Sequence, residues 1–142
     1  MPSNGTTTGV PSSTTTAPPV TNTTAPVVVK PIGGASVDSK VLILGITDDD
    51  LQAGYHGLKG YGIPYDAIIV PASGFSLPVL NDTATHGRYG GIITLNGLAV
   101  ETPNGWASAL SADQWTAIEN YQVMFGVRLV RINEFPGDAF GE

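Results

Sequence analysis

The sequence predicts an α/β fold in which about four strands form a parallel sheet. A buried-strand signal at residues 41–46 follows directly on a Thr/Ser/Pro tract, and three further apolar runs alternate with two helical patterns. Strands joined by helical crossovers form parallel sheets. Because a doubly wound sheet usually has more strands and helices, we interpret the chain as an incomplete flavodoxin-like or amidotransferase-like layer.

The N-terminal tail covers residues 1–39 and is rich in Thr, Ser and Pro. Such a segment buries too little surface to offset about 1–2 kcal/mol of backbone entropy per residue. We therefore expect a disordered tail or linker over 1–39 and a folded module over 40–142, truncated at its C-terminus. Thr-rich tracts with Pro are typical of stalks on exported proteins. This indicates an extracellular or cell-wall location, although the N-terminus lacks a signal peptide.

The first half of the module contains the clearest strand. The run at 41–46 is continuously apolar, as expected for a strand covered on both faces. Three aspartates at 48–50 follow and supply N-cap chemistry for a helix at 51–61. That helix contains three glycines, each costing up to about 1 kcal/mol, so we expect it to be short and to pack closely on the sheet. The second strand is predicted at 65–70.

The second half contains the best helix. After a long loop at 71–78, the third strand is predicted at 88–95, followed by a loop rich in Gly, Pro and Asn at 96–106. Ser111 and Gln114 form a capping box, and Gly126 ends the helix that follows. Residues 127–132 form the predicted fourth strand.

Composition excludes several classes of function. The net charge of −6 without a basic cluster argues against nucleic acid and anionic membranes as partners. The absence of cysteine excludes disulfides, Cys-ligated metals and thiol nucleophiles. No apolar run reaches the roughly 18 residues of a membrane span. We expect no cofactor and no metal.

Ligands of parallel sheets bind beyond the carboxyl ends of the strands. The residues predicted to lie there give the candidate binding set: Asp48, Asp49, Asp50, Phe75, Asn96 and Trp106. Trp106 offers a large apolar face on which a sugar ring can stack. The alternative is that it packs against the start of the following helix. Trp115, in contrast, is expected in the core.

Known chemistries of such sheets fit poorly. A class I amidotransferase needs a cysteine nucleophile, and this chain has none. A receiver domain needs a phospho-accepting aspartate at the end of the third strand, where this chain has Asn96. A flavodoxin binds phosphate after the first strand, where three aspartates would repel it. The segment at 46–50 resembles the opening motif of polysaccharide deacetylases. However, His56 and His86 stand alone, and the paired-histidine metal motif is missing. A solvated, helix-capping loop is the simpler interpretation.

Three Asn-x-Thr sequons are candidate N-glycosylation sites, at Asn4, Asn22 and Asn81. Asn81 is the best of them because it belongs to the folded module. A turn-forming Asn-Asp pair is the alternative explanation.

Several uncommon blocks resemble one family of secreted fungal proteins, the galactosaminogalactan deacetylases, over residues 40 to 141. The blocks occur in order: Gly57-Leu-Lys-Gly-Tyr-Gly-Ile-Pro-Tyr65, Val70-Pro71, Leu77-Pro-Val-Leu-Asn81, Tyr89-Gly-Gly-Ile-Ile93, Leu110-Ser-Ala-Asp-Gln-Trp115 and Tyr121-Gln-Val-Met-Phe-Gly-Val-Arg-Leu-Val-Arg131. The resemblance concerns the N-terminal carbohydrate-binding module of these extracellular Ser/Thr-rich proteins. It implies a fungal cell-wall or biofilm-matrix glycoprotein whose metal-dependent deacetylase domain lies downstream.

The expected function is therefore binding of a polysaccharide that contains galactosamine or N-acetylgalactosamine, without catalysis in this chain. The acidic loop at Asp48, Asp49 and Asp50 would attract partly deacetylated, cationic galactosamine. Two alternatives remain open: a structural or surface-display fragment with a glycosylated stalk, and a metal-dependent deacetylase that uses the acidic loop.

Overall fold

The computed structural model describes residues 31–134, so most of the predicted tail, including Asn4 and Asn22, lies outside the described residues. The described part is a mixed α/β structure. Its elements in chain order are β1 (Ser36–Val37), β2 (Val41–Gly45), α1 (Asp48–Gly60), β3 (Tyr65–Ile69), β4 (Asn81–Thr83), β5 (His86–Gly87), β6 (Gly91–Leu95), β7 (Ala99–Thr102), β8 (Gly105–Ser108), α2 (Ala112–Phe125) and β9 (Arg128–Ile132).

Four strands form the main sheet in the spatial order β3–β2–β6–β9, and every neighbouring pair is parallel. The parallel sheet and its two helices are as predicted. The strand ends differ slightly, because β6 begins at Gly91 and β2 ends at Gly45. The connection from β3 to β6 contains β4 and β5 in place of a helix.

The central strand β2 is buried on both faces, which explains its continuous apolar run. Ile43 packs with α1 residues on one face. Leu42 and Leu44 belong to a second cluster on the other face, which includes Ile118 of α2. All four side chains are fully buried. The two helices therefore cover opposite faces of the sheet.

Helix α1 packs closely on the sheet through a glycine. A Cβ atom at Gly54 would lie 2.7 Å from Ile43 Cγ2 and 3.3 Å from Leu95 Cδ2, closer than van der Waals contact allows. The predicted close packing is confirmed at this position. The predicted helix start is wrong, however, because α1 begins at Asp48 and the N-cap residue is Thr47.

Helix α2 is the element that its sequence predicts best. The Ser111 hydroxyl accepts from the Gln114 N–H, and the Gln114 side chain accepts from the Ser111 N–H. Gly126 ends the helix in the left-handed region, with φ of 66°. Here the capping chemistry alone specifies both helix ends.

A small sheet in the order β1–β5–β4 lies beside the main sheet. Ser36 and Val37 of β1 pair with His86 and Gly87 of β5. Strand β1 thus belongs to the segment that we assigned to the tail, and strand pairing begins before the expected boundary at residue 39.

The segment 96–106 is not a loop throughout, as we predicted. It contains β7 and the first half of β8, which form an antiparallel hairpin. Thr102 stabilises the turn, because its hydroxyl accepts from the Asn104 N–H at 3.3 Å and donates to the Gly105 carbonyl at 2.7 Å. Gly105 has φ of 108°, a conformation that glycine adopts most readily.

Candidate functional site

The carboxyl edge of the main sheet brings together the first turns of both helices, the ends of β6 and β9, and the β7–β8 hairpin. Helices that connect parallel strands run antiparallel to them, so α1 and α2 both begin at this edge. The hairpin is attached there through the Ala109 N–H, which donates to the Leu98 carbonyl at 2.8 Å. The topology therefore places all six predicted binding residues at or beside one edge.

Asp50 is committed to local structure. Its carboxylate accepts from the backbone N–H groups of Ile46 at 3.2 Å and Thr47 at 3.1 Å, which completes a capping box with the Thr47 hydroxyl. It also accepts from the Asn96 side-chain amide. With these acceptor positions occupied, Asp50 joins the end of β2 to the end of β6.

Asn96 continues this connection to the end of β9, because its side-chain oxygen accepts from the Asn133 amide. Both asparagines adopt the left-handed backbone conformation, with φ of 52° and 57°. The third non-glycine residue with positive φ in residues 31–134, Leu98, ends the short 3₁₀ helix Asn96–Leu98 that Asn96 begins. Such conformations cost free energy and concentrate where the surrounding structure fixes them.

Asp48 and Asp49 are exposed to solvent. Asp48 accepts from the Gln52 side chain one helical turn later, at 2.9 Å. Carboxylates in the first turn of a helix are stabilised by the helix dipole. Of the three aspartates, these two present their charge outward, and Asp50 serves the fold.

Trp106 lies on β8, not in a loop, and 75% of its surface is exposed. This exposure rules out the alternative in which Trp106 packs against the start of α2. Its direct cross-strand partner is Glu101 on β7. Directly opposed residues of an antiparallel pair project from the same face. An exposed indole and an exposed carboxylate thus lie side by side.

The opposite face of the hairpin is anchored in the core. Val100 is next to Glu101 in sequence, so its side chain projects to the other face, and only 9% of it is exposed. Because Val100 is buried and Trp106 pairs with the neighbouring Glu101, strand register directs Trp106 away from the core. Sequence reasoning missed Glu101, although strand alternation about Val100 would have indicated it.

Trp115 extends the outward face toward α2. Ser108 lies two residues from Trp106 and therefore on the same face, and its hydroxyl accepts from Trp115 Nε1 at 2.8 Å. The Arg131 guanidinium lies over the Trp115 ring, 5.0 Å from its centre. We call the set Glu101, Trp106, Ser108, Trp115 and Arg131 the hairpin face. Trp115 packs against the buried cluster but is only partly buried, so the expectation of a core residue is met in part.

Phe75 packs beneath the carboxyl edge of the sheet, against the core and the start of α2. Its ring packs against the buried cluster on the α2 side of the sheet, and its carbonyl accepts from the Gln114 side chain. Phe75 therefore contributes to packing between the core and the start of α2.

The two histidines lie apart from each other and from the hairpin face. His56 is exposed on α1. His86 on β5 lies between Asp38, at 3.3 Å, and Asp82, at 3.5 Å. Hydrogen bonding to the Arg88 guanidinium lowers the pKa of Asp82. Among residues 31–134, no group of three or more Asp, Glu or His residues is arranged to hold a metal ion.

Within the same residues, neither helix is long and apolar enough to cross a membrane.

Comparison with known proteins identifies the module. The family model described as Agd3 CBM87, a carbohydrate-binding module, matches residues 37–142. The structure described as "Crystal structure of Agd3 a novel carbohydrate deacetylase" is similar to this chain, with 37% sequence identity and a TM-score of 0.72. The match covers 75% of this chain and 16% of that chain. No curated protein matches the chain.

Proposed function

The chain belongs to the CBM87 family of carbohydrate-binding modules found in Agd3, and from this membership we propose that it binds an extracellular polysaccharide through the hairpin face. The matching family model is that of the carbohydrate-binding module, so the function that we propose for this chain is binding without catalysis. The observation that carries the location of the site is Trp106, three-quarters exposed on a hairpin that is held from its other face by the buried Val100.

An exposed indole suits a sugar ring for physical reasons. One face of a pyranose presents C–H groups, and burying it against an aromatic ring removes apolar surface from water. Trp106 needs no rearrangement to offer its ring, since the register with β7 and the burial of Val100 hold the hairpin in place. Preorganisation of this kind lowers the entropic cost of binding.

The charge of the surface favours an amino sugar. Glu101 lies directly opposite Trp106, so a group on the edge of a sugar stacked on the indole comes close to its carboxylate. The net charge of −6 attracts cationic polymers over longer distances, and the outward-facing Asp48 and Asp49 contribute to it. We therefore propose a partly deacetylated, galactosamine-containing polysaccharide as the ligand.

The match to 16% of the length of a carbohydrate deacetylase supports a targeting role. A module that holds the polymer raises the effective substrate concentration at a catalytic domain on the same chain. We propose that this module acts in that way for a deacetylase domain outside the cell.

The experiment is a comparison of matched aromatic variants of the full chain in calorimetric titrations with galactosaminogalactan oligosaccharides. We expect Trp106→Ala to weaken binding about tenfold or more, equivalent to about 1.4 kcal/mol. Tyr61→Ala is the control, because Tyr61 is 87% exposed but follows the C-terminal end of α1, at the opposite edge of the sheet. Equal affinities of the two variants would refute the site.

The same titration distinguishes the alternatives. A folded chain that binds none of the oligosaccharides would favour a structural or surface-display role. Metal-dependent release of acetate by the isolated chain would establish a deacetylase at the acidic loop.

A further inference from the structure

An apolar groove lies on the α2 side of the molecule, away from the hairpin face. It has a volume of about 300 Å³ and runs between α2 and the segment that leads into β4. Its lining includes Leu77, Val79, Asn81, Asn120 and Met124. Val79 is 60% exposed there. This volume is at the lower end of the range for small-ligand sites. A groove of that size suits a single sugar residue.

Asn81 forms part of the groove wall and is the acceptor residue of the sequon Asn81-Asp82-Thr83. Both Asn81 and Thr83 are exposed. The side-chain amide of Asn81 donates one hydrogen bond, to the Thr83 carbonyl, at 2.9 Å. A primary amide nitrogen carries two N–H bonds, so the second N–H of Asn81 can be replaced by a bond to a sugar.

We propose that Asn81 carries an N-linked glycan and that its first N-acetylglucosamine residue lies in this groove. The proposal rests on the extracellular location proposed above, because the sugar donor is a lipid-pyrophosphate oligosaccharide of the secretory pathway. A bond forms between Asn81 Nδ2 and the anomeric carbon, and the bond from that carbon to the pyrophosphate oxygen breaks. Nδ2 loses one proton to the departing pyrophosphate and keeps the other N–H.

The remaining N–H is sufficient for the hydrogen bond to the Thr83 carbonyl, so glycosylation leaves the conformation of β4 unchanged. The retained bond also restricts rotation about the Asn81 side chain. The sugar is thereby held at the groove wall instead of turning freely in solvent.

The groove offers chemistry that fits N-acetylglucosamine. The C–H face of the ring and the acetyl methyl group can pack on Val79 and Met124, which removes exposed apolar surface from water. Asn120 is partly buried on the opposite wall, and its side chain makes no hydrogen bond to other residues of the described range. Its amide can therefore bind the polar groups of the sugar. Covalent attachment makes the docking intramolecular and so favours weak contacts.

The test uses the full chain secreted from a eukaryotic host, with the glycan trimmed to one N-acetylglucosamine. Glycopeptide mass spectrometry should find sugar on Asn81 in the wild type and in Thr83→Ser, which keeps the sequon and the hydroxyl. The glycopeptide should be lost completely in Thr83→Ala. An NMR measurement on methyl-labelled protein should then show contacts between the acetyl methyl group and the methyl groups of Val79 or Met124.

Two results would overturn the proposal. An unmodified Asn81 in the wild type would exclude the modification. A modified Asn81 without these contacts, and with unchanged resonances of Val79 and Met124, would exclude docking in the groove. Neither readout involves Trp106, so failure here is distinguishable from failure of polysaccharide binding at the hairpin face.

Discussion

The Tyr121 hydroxyl of α2 bonds to both backbone groups of Tyr89, the residue two positions before β6. It donates to the Tyr89 carbonyl at 2.7 Å and accepts from the Tyr89 N–H at 3.0 Å. Both residues are buried. A single hydroxyl therefore satisfies a donor and an acceptor that strand pairing leaves free, and it ties the helix to the start of the strand.

Tyr121→Phe should destabilise the protein by about 1–3 kcal/mol, because the Tyr89 backbone groups would stay buried without partners. Urea denaturation measures the effect. The matched control is Tyr61→Phe, whose hydroxyl is on a side chain that is 87% exposed. That control should change the free energy of unfolding by less than about 0.5 kcal/mol. Equal stability of the two variants would contradict this account of Tyr121.

Two glycines of α1 should respond to alanine in opposite directions. Gly57→Ala should stabilise the protein by about 0.5–1 kcal/mol, because a Cβ atom there meets open space and alanine is the better helix former. Gly54→Ala gains the same propensity but places its Cβ 2.7 Å from Ile43 Cγ2, so we expect net destabilisation. Thermal melts of both variants test this prediction. If both melting temperatures change in the same direction, the close contact between α1 and β2 is disproved.

Tyr89 should make the free energy of unfolding decrease at alkaline pH. Burial, together with its hydrogen bond to Asp66 at 3.0 Å, raises the pKa of Tyr89 from 10.0 to about 12. The folded state thus keeps a proton that the unfolded state loses. This contribution to stability is complete below pH 10.0 and is lost as the pH rises toward about 12.

Tyr89→Phe should remove most of that slope in denaturation experiments over the same pH range. Some slope should remain, because burial also raises the pKa of Tyr121. An unchanged slope in Tyr89→Phe would show that another group causes the alkaline loss of stability.

Glu101 should set the preference for charged sugars. Glu101→Gln should weaken binding of deacetylated oligosaccharides about two- to fivefold, as expected for an exposed ion pair of 0.5–1 kcal/mol. Binding of fully N-acetylated oligosaccharides should not change. Glu119→Gln removes the same charge from an exposed position on α2 and serves as control. If both variants lose the same affinity, overall charge and not Glu101 produces the preference.

Much of the central sheet could be predicted because its signals are local. The apolar run of β2 requires cover on both faces, and the Ser111–Gln114 capping box with Gly126 defines both ends of α2. These patterns need no knowledge of distant residues. The resemblance to a carbohydrate-binding module of a deacetylase family is likewise confirmed.

The hairpin was missed because its strands are short and its turn contains Pro103, Asn104 and Gly105, which are typical of loops. Its stability comes from Val100 in the core, a long-range contact that composition does not reveal. Asn96 was placed at the correct edge, but its link to Asp50 depends on a left-handed backbone and on residues far apart in sequence. The hydrogen bond of Asp50 to Asn96 and the packing of Phe75 against the core were hidden because their partners are also far away in sequence.

The central claim is that the hairpin face binds polysaccharide, and the most direct test is an amide NMR titration of the full chain with galactosaminogalactan oligosaccharides. We predict saturable shifts at Glu101, the Trp106 indole N–H and Trp115, with Tyr61 and the groove residues unaffected. Shifts confined to the Asp48 and Asp49 region, or a spectrum that does not change at saturating sugar, would contradict the claim.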